Sequence, residues 1–207
     1  MITVRRLGVF IFVVALLGCA GPSTLVPERD TIAYRDDPDL QRVWMADGLT
    51  FRVYDAIIVT ETQSQAVSVN PDGQENLVWA RALLREEIMK VFRTKNIFSA
   101  VATSEADLKP GARVLRLDNT IVEYEKGGGG ARFFAGLYGA GQPVIRVRGR
   151  MTDGGRMIFA FEARRSGDSG LARMFGGYRS DKAIQEEDIR DLAQDLADFI
   201  IRDGQPR

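Results

Sequence analysis

Ile145, Val147 and Met151 alternate with Arg146, Arg148 and Arg150. A period of two sends the two sets to opposite faces of an extended strand, and no helix separates them. The chain must therefore build a sheet with one face on a core and the other facing water. Arg113 to Tyr124 repeats the pattern: Leu115, Leu117 and Ile121 point one way, Arg116, Asp118 and Thr120 the other. Asp153-Gly154-Gly155 turns the arginine-bearing strand, Val144 to Thr152, into a third one from Arg156 to Arg165. A three-residue loop there predicts Met151 paired with Met157, Gly149 with Phe159 and Val147 with Phe161, and places Arg146 opposite Glu162. A two-residue loop sets Arg148 opposite Phe161 and mixes the faces, so the three-residue loop is expected.

Two segments carry helical spacing instead. Ala80, Leu84, Ile88, Val91 and Phe92 predict a helix over about Gln74 to Lys95, stopped at Asn96. Ile189, Leu192, Leu196, Phe199 and Ile200 predict another over Ile184 to Arg202, with acidic residues at its positive end. Phe51 to Thr60, with the apolar run Ile57-Ile58-Val59, and Ile97 to Val101 read as strands. The expected fold is α+β, ordered β-α-β-β-β-β-α. It is a single mixed or antiparallel sheet of about five strands with two helices on one face.

Before this domain the composition changes. Arg5 and Arg6 precede an uncharged apolar run, Gly8 to Gly18, of 11 residues. That is short of the roughly 20 residues a membrane-spanning helix needs and has the length of a secretory leader. Its end, Leu16-Leu17-Gly18-Cys19, resembles the lipobox of bacterial lipoproteins. The resemblance implies cleavage between Gly18 and Cys19 and acylation of the Cys19 thiol. With Ala20 rather than Asp after it, the resemblance implies sorting to the outer membrane, on its periplasmic side. Pro22, Pro27 and Pro38 punctuate the segment after Cys19. The expected organisation is a leader at 1–18, a lipidated cysteine and flexible tether at 19–49, and a globular domain at 50–204.

Several chemistries are closed to such a chain. It has no histidine, and its one cysteine is the proposed lipid attachment point. Serine–histidine hydrolysis, thiol catalysis and the common zinc or iron sites therefore lack their residues. No catalytic residue, metal site or cofactor is expected. Basic and acidic residues balance at 28 each over the full chain. This argues against a nucleic-acid partner, which calls for a strongly basic surface.

The run Ala131-Arg132-Phe133-Phe134-Ala135-Gly136-Leu137-Tyr138-Gly139-Ala140-Gly141, the alternating strand after it, Asp153-Gly154-Gly155 and Phe159-Ala160-Phe161-Glu162 resemble the bacterial lipoprotein family called domain of unknown function 4410. More distantly, the element order is similar to periplasmic domains of curli-export lipoproteins and to the TolB N-terminal domain. The resemblance implies an envelope lipoprotein without an assigned activity. Two surfaces are then candidates for partner contact. One is the glycine-rich segment 127–141, through Arg132, Phe133, Phe134 and Tyr138; the other is the row Arg146, Arg148 and Arg150. The expectation is a membrane-anchored, non-catalytic accessory or scaffolding factor that binds another envelope protein. The alternatives are self-assembly into a ring as a homo-oligomer and a hydrolase working through carboxylates.

Overall fold

The computed structural model describes residues 32–65, 71–127, 143–167 and 180–203. Eight strands form one sheet: β1 (Arg35–Asp37), β2 (Gln41–Met45), β3 (Ala56–Val59), β4 (Gln63–Ser64), β5 (Ala100–Ala102), β6 (Val114–Glu125), β7 (Val144–Asp153) and β8 (Arg156–Arg165). Their order across the sheet is β1-β2-β8-β7-β6-β3-β5, and β4 also pairs with β6. The pairs β3–β5, β3–β6 and β4–β6 are parallel; the others are antiparallel. Two helices, α1 (Pro71–Thr94) and α2 (Asp181–Asp203), complete the α+β fold.

Three strands exceed the expected five. Two of them, β1 and β2, lie in residues read from sequence as tether, so the folded part begins well before residue 50. Arg35-Asp36-Asp37 is too polar to announce a strand. It is held by position: Asp37 Oδ1 accepts the Asp39 and Leu40 amides at 3.0 and 2.9 Å, closing the turn. Arg202 at the end of α2 reaches Asp37 Oδ2 at 3.0 Å. The expected strand over Phe51 to Thr60 shortens to β3, because Phe51–Val53 is a 3-10 turn.

One face of the sheet carries the core. Leu115, Leu117, Ile121, Ile145, Val147, Met151, Phe159 and Phe161 are fully buried there. Leu84, Ile88 and Phe92 from α1 and Leu192, Leu196 and Phe199 from α2 join the same cluster. Phe199 stacks on Phe159 with centroids 5.1 Å apart. Helix α1 ends as Asn96 predicts. That residue takes φ +50°, and the Asn96 and Ile97 amides donate back to the Arg93 and Phe92 carbonyls. This is the reverse-turn cap that terminates a helix in the left-handed region. Helix α2 starts on Ser180, whose hydroxyl accepts the Ala183 amide at 3.2 Å.

The β7–β8 register departs from the sequence expectation. Asp153 pairs with Arg156 across the two glycines, so the loop has two residues. A bulge follows at once: Thr152 pairs with Met157 but Met151 pairs with Phe159, leaving Ile158 extra. The bulge restores the alternation that a plain two-residue loop destroys. Gly149 therefore faces Phe161, Val147 faces Ala163 and Arg148 faces Glu162. A second bulge, between Ile121 and Glu123 of β6, turns Tyr124 inward opposite Ile145.

Candidate functional site

The second face of the sheet is a charged lattice whose geometry is set by register. Across the strands, Asp36, Arg42, Glu162, Arg148 and Thr120 form one row. Trp44, Ala160, Arg150 and Asp118 form the next, and Arg164, Arg146 and Glu123 a third. Arg116 lies beyond them, opposite Thr152. The three arginines singled out by alternation thus do share one face, as expected. Arg132, Phe133, Phe134, Tyr138, Gly18 and Cys19 lie outside the described residues.

Carboxylates hold the arginines in place. Glu162, 8 % exposed, receives Arg148 Nε at 3.3 Å and Arg146 Nη1 at 3.5 Å. Glu123 receives Arg146 Nη2 at 2.8 Å and Arg164 Nε at 3.6 Å. Asp118 accepts from Arg116 Nε at 3.3 Å and from the Thr60 hydroxyl at 2.8 Å. Arg146 meets Glu162 diagonally rather than directly opposite, a consequence of the corrected register. Alternation found the three arginines and set Arg116 and Asp118 on the polar side of their own strand, and the hairpin expectation brought Glu162 to Arg146. Arg42, Trp44, Glu123 and Arg164 join them only through pairing across the sheet, which no local pattern reports.

In total this face carries six arginines (42, 116, 146, 148, 150 and 164) against five carboxylates (36, 118, 123, 125 and 162). Arg42, Arg116, Arg148 and Arg150 are exposed, and Trp44 is half-buried among them. The pairs fix each guanidinium's direction without neutralising the face. Exposed pairs of this kind add little to stability, but they present planar donors suited to carboxylate or phosphate.

Two other polar clusters satisfy themselves. At the far end of β7, Asp153 Oδ2 accepts from the Tyr54 hydroxyl at 2.9 Å and Arg113 Nη2 at 3.1 Å. The Arg113 guanidinium lies 4.5 Å over the Tyr54 ring. The Tyr54 hydroxyl and then Arg113 hold the Asp153 carboxyl below its usual range; burial, followed by that same bond, raises Tyr54. Every member is satisfied by another, which makes the cluster a clamp between the 3-10 turn and β7. Between α1 and α2, a shallow groove is lined by Glu87, Lys90, Thr94, Lys95, Arg190 and Gln194. Glu87 accepts from Lys90 at 3.1 Å and Arg190 at 3.4 Å, and Lys95 pairs with Asp198, so its charges are answered internally. Helix α2 is tied to the sheet as well: Asp195 pairs with Arg165 of β8. Among the described residues, no set of three metal-ligating side chains converges, and no helix is long and apolar enough to cross a membrane.

No family model matches the chain, and no curated protein matches it. Solved structures do. PelC from Paraburkholderia phytofirmans, a dodecamer, is 17 % identical, with 72 % of this chain and 96 % of that one covered and a TM-score of 0.42. Protein XCC0632 from Xanthomonas campestris, of the family domain of unknown function 330, is 14 % identical over 76 % of this chain and 90 % of its own, at a TM-score of 0.44. A neuraminyllactose-binding hemagglutinin homolog from Helicobacter pylori is 7 % identical over 73 % and 85 %, at 0.38. Each is a distant likeness.

Proposed function

We propose that this chain is an outer-membrane lipoprotein whose periplasmic domain acts by contact and not by catalysis, as an accessory or scaffolding factor. The observation that carries this reading is the outer sheet face. The fold commits its apolar strand residues chiefly to the helix side. On the other side it leaves an arginine lattice that no described element packs against. A face so ordered and so open suits recognition of an anionic partner.

The leader and Leu16-Leu17-Gly18-Cys19 support the anchor, as does the resemblance to lipoproteins of the family domain of unknown function 4410. Diacylation at one cysteine suffices to hold a water-soluble domain at a bilayer. The segment joining β6 to β7 contains Phe133, Phe134 and Tyr138, the residue types that anchor protein interfaces. In this reading it supplies the contact to an envelope protein.

The test is photo-crosslinking in cells from positions 133 and 138, beside the mass of the native protein. The expected result is one recurrent envelope protein captured from both positions and a diacylglyceryl mass on Cys19. An unmodified Cys19 removes the anchor; two positions that capture nothing above background remove the scaffold.

A further inference from the structure

We infer that the arginine face of the sheet lies against the anionic lipid surface to which the chain is anchored. Three observations on different parts of the molecule point there.

The first is charge segregation. A chain whose basic and acidic residues balance at 28 each has sorted them by layer. The outer face holds six arginines against five carboxylates. On the opposite side of the sheet, α2 carries eight carboxylates against three cations. Near an anionic leaflet such a domain has one favoured orientation, arginines toward the lipid and α2 away.

The second is reach. This step rests on the lipid anchor at Cys19. Twelve residues separate Cys19 from Ile32, where the described fold begins. At no more than ~3.5 Å per residue they span roughly 40 Å when taut. The chain then enters β1, the edge strand beside β2, and β2 places Arg42 and Trp44 on the outer face. The edge nearest the anchor along the chain is thus the edge of the arginine lattice. So short a leash keeps the face at high effective concentration over the headgroups, where contacts too weak for a free protein become populated.

The third is residue type. Guanidinium groups bind phosphate oxygens through paired donors, and every cation of this face is an arginine. Trp44, half-buried beside Ala160 and next in β2 to Arg42 and Val43, is the amphipathic ring that settles at a headgroup boundary. An acidic protein would satisfy the charges but leaves the tether geometry and the tryptophan without a role.

The chain contains two tryptophans, Trp44 and Trp79, so a Trp79→Phe variant makes Trp44 the sole reporter. The full mature lipoprotein is reconstituted into vesicles carrying a headgroup-region quencher. One set is phosphatidylcholine alone and the other includes phosphatidylglycerol. Trp44 quenching is expected to be several-fold stronger with phosphatidylglycerol. It should return to the phosphatidylcholine level in high salt and in an Arg148→Glu/Arg150→Glu variant. Salt acts on the unaltered face, so it decides the matter even where the double variant folds poorly. Equal quenching in the two lipids, or quenching indifferent to salt, overturns the inference. So does crosslinking from position 150 to an acidic protein with no dependence on phosphatidylglycerol. The anchor is read separately, by flotation with phosphatidylcholine vesicles and the mass at Cys19. Flotation without Trp44 quenching sinks the docked face alone. Absent lipidation with phosphatidylglycerol-dependent quenching sinks the anchor and keeps the face.

Discussion

Gly149 of β7 lies directly beneath the ring of Phe161 of β8: a Cβ placed on Gly149 would stand 2.0 Å from Phe161 Cε1. The ring fills the space a side chain would take, and both residues are buried at the centre of the sheet. This contact holds the β7–β8 register that the two-residue loop and the Ile158 bulge set up. Gly149→Ala is expected to destabilise the fold by about 1–3 kcal/mol, the usual result of overpacking. Phe161→Leu alone loses packing of similar size. The double variant should lose clearly less than the sum, because the smaller side chain makes room for the methyl. Urea denaturation of the four proteins reads this directly. Strict additivity would show that the ring is not what requires glycine.

Asp37 ties the β1–β2 hairpin to the rest of the domain. It is 8 % exposed, closes the turn through two amides and pairs with Arg202. Arg202 also donates to Asp39 Oδ2 at 2.6 Å. Asp37→Ala should cost about 1–3 kcal/mol by leaving these donors unanswered. The loss should be local. Hydrogen exchange is expected to speed several-fold at β1 and β2 while β6 and β7 keep their protection. Uniform acceleration across the sheet would instead make the hairpin part of the main cooperative unit.

Glu162→Gln separates stability from binding. The substitution removes one of five carboxylates from the outer face and weakens two hydrogen bonds from guanidiniums. A loss of about 1–2 kcal/mol is expected, the range for bonds to a charged group at a partly wet site. The same change raises the positive excess of the face, so adsorption to phosphatidylglycerol vesicles should tighten, and more so at low salt. Stability by denaturation and vesicle partition should therefore move in opposite directions. A variant weaker in both would mean that Glu162 itself belongs to the contact.

How much of this is legible in the sequence depends on what kind of pattern each element leaves. Strands β7 and β8 can be placed because Ile145, Val147 and Met151 alternate with arginines and because Asp153-Gly154-Gly155 marks a turn. Their register cannot. Met157-Ile158-Phe159-Ala160-Phe161 is apolar throughout, so its period is invisible, and both Ile158 and Phe159 are buried. The pairing is settled by Phe161 covering Gly149, a contact between strands. Strands β1 and β2 escape notice for the opposite reason. Arg35-Asp36-Asp37 has no apolar residue, and the turn into β2 uses Gln41 at φ +65°, where glycine or asparagine would have signalled it. For the outer face, alternation reveals Arg146, Arg148 and Arg150. The expected hairpin brings Glu162 to Arg146, but that it stands directly opposite Arg148 and answers both depends on the bulge. Glu123 belongs to another strand, and Trp44 to one that no pattern announces.

The pH dependence of stability should have two distinct limbs. Burial pushes the Tyr124 hydroxyl up to about 12 in the folded chain, where it donates to Gln185 Oε1 at 2.9 Å. A raised folded value means that its contribution is complete below the unfolded value near ~10 and is lost as pH rises toward the folded one. Asp153 behaves inversely. The Tyr54 hydroxyl, then Arg113, holds its carboxyl below the ordinary value, so its contribution is present above that value and fades as pH falls through the folded one. Tyr124→Phe should reduce the alkaline limb to the part that Tyr54, itself raised, supplies, and Asp153→Asn should soften the acid limb and lessen the Tyr54 part of the alkaline one. Stability measured by urea at intervals of pH distinguishes them. A Tyr124→Phe profile that falls between the two values as steeply as the parent's would assign the alkaline loss to another group.

Asn119 offers a change expected to strengthen the protein. Its side chain is 1 % exposed on the core face of β6, opposite Gly149, and neither its oxygen nor its nitrogen has a hydrogen-bond partner among the described residues. Thr62, in the break between β3 and β4, also buries an unpartnered hydroxyl. A buried amide without partners carries its full desolvation penalty, whereas an apolar group of similar shape there carries none. Asn119→Leu keeps the branched shape and should raise stability by about 1 kcal/mol or more. Asn119→Asp should lower it sharply, since a charge replaces an amide in the same apolar setting. Thermal melts of the three proteins decide the point. If leucine destabilises by as much as a cavity would, the amide has a partner that matters to the native state.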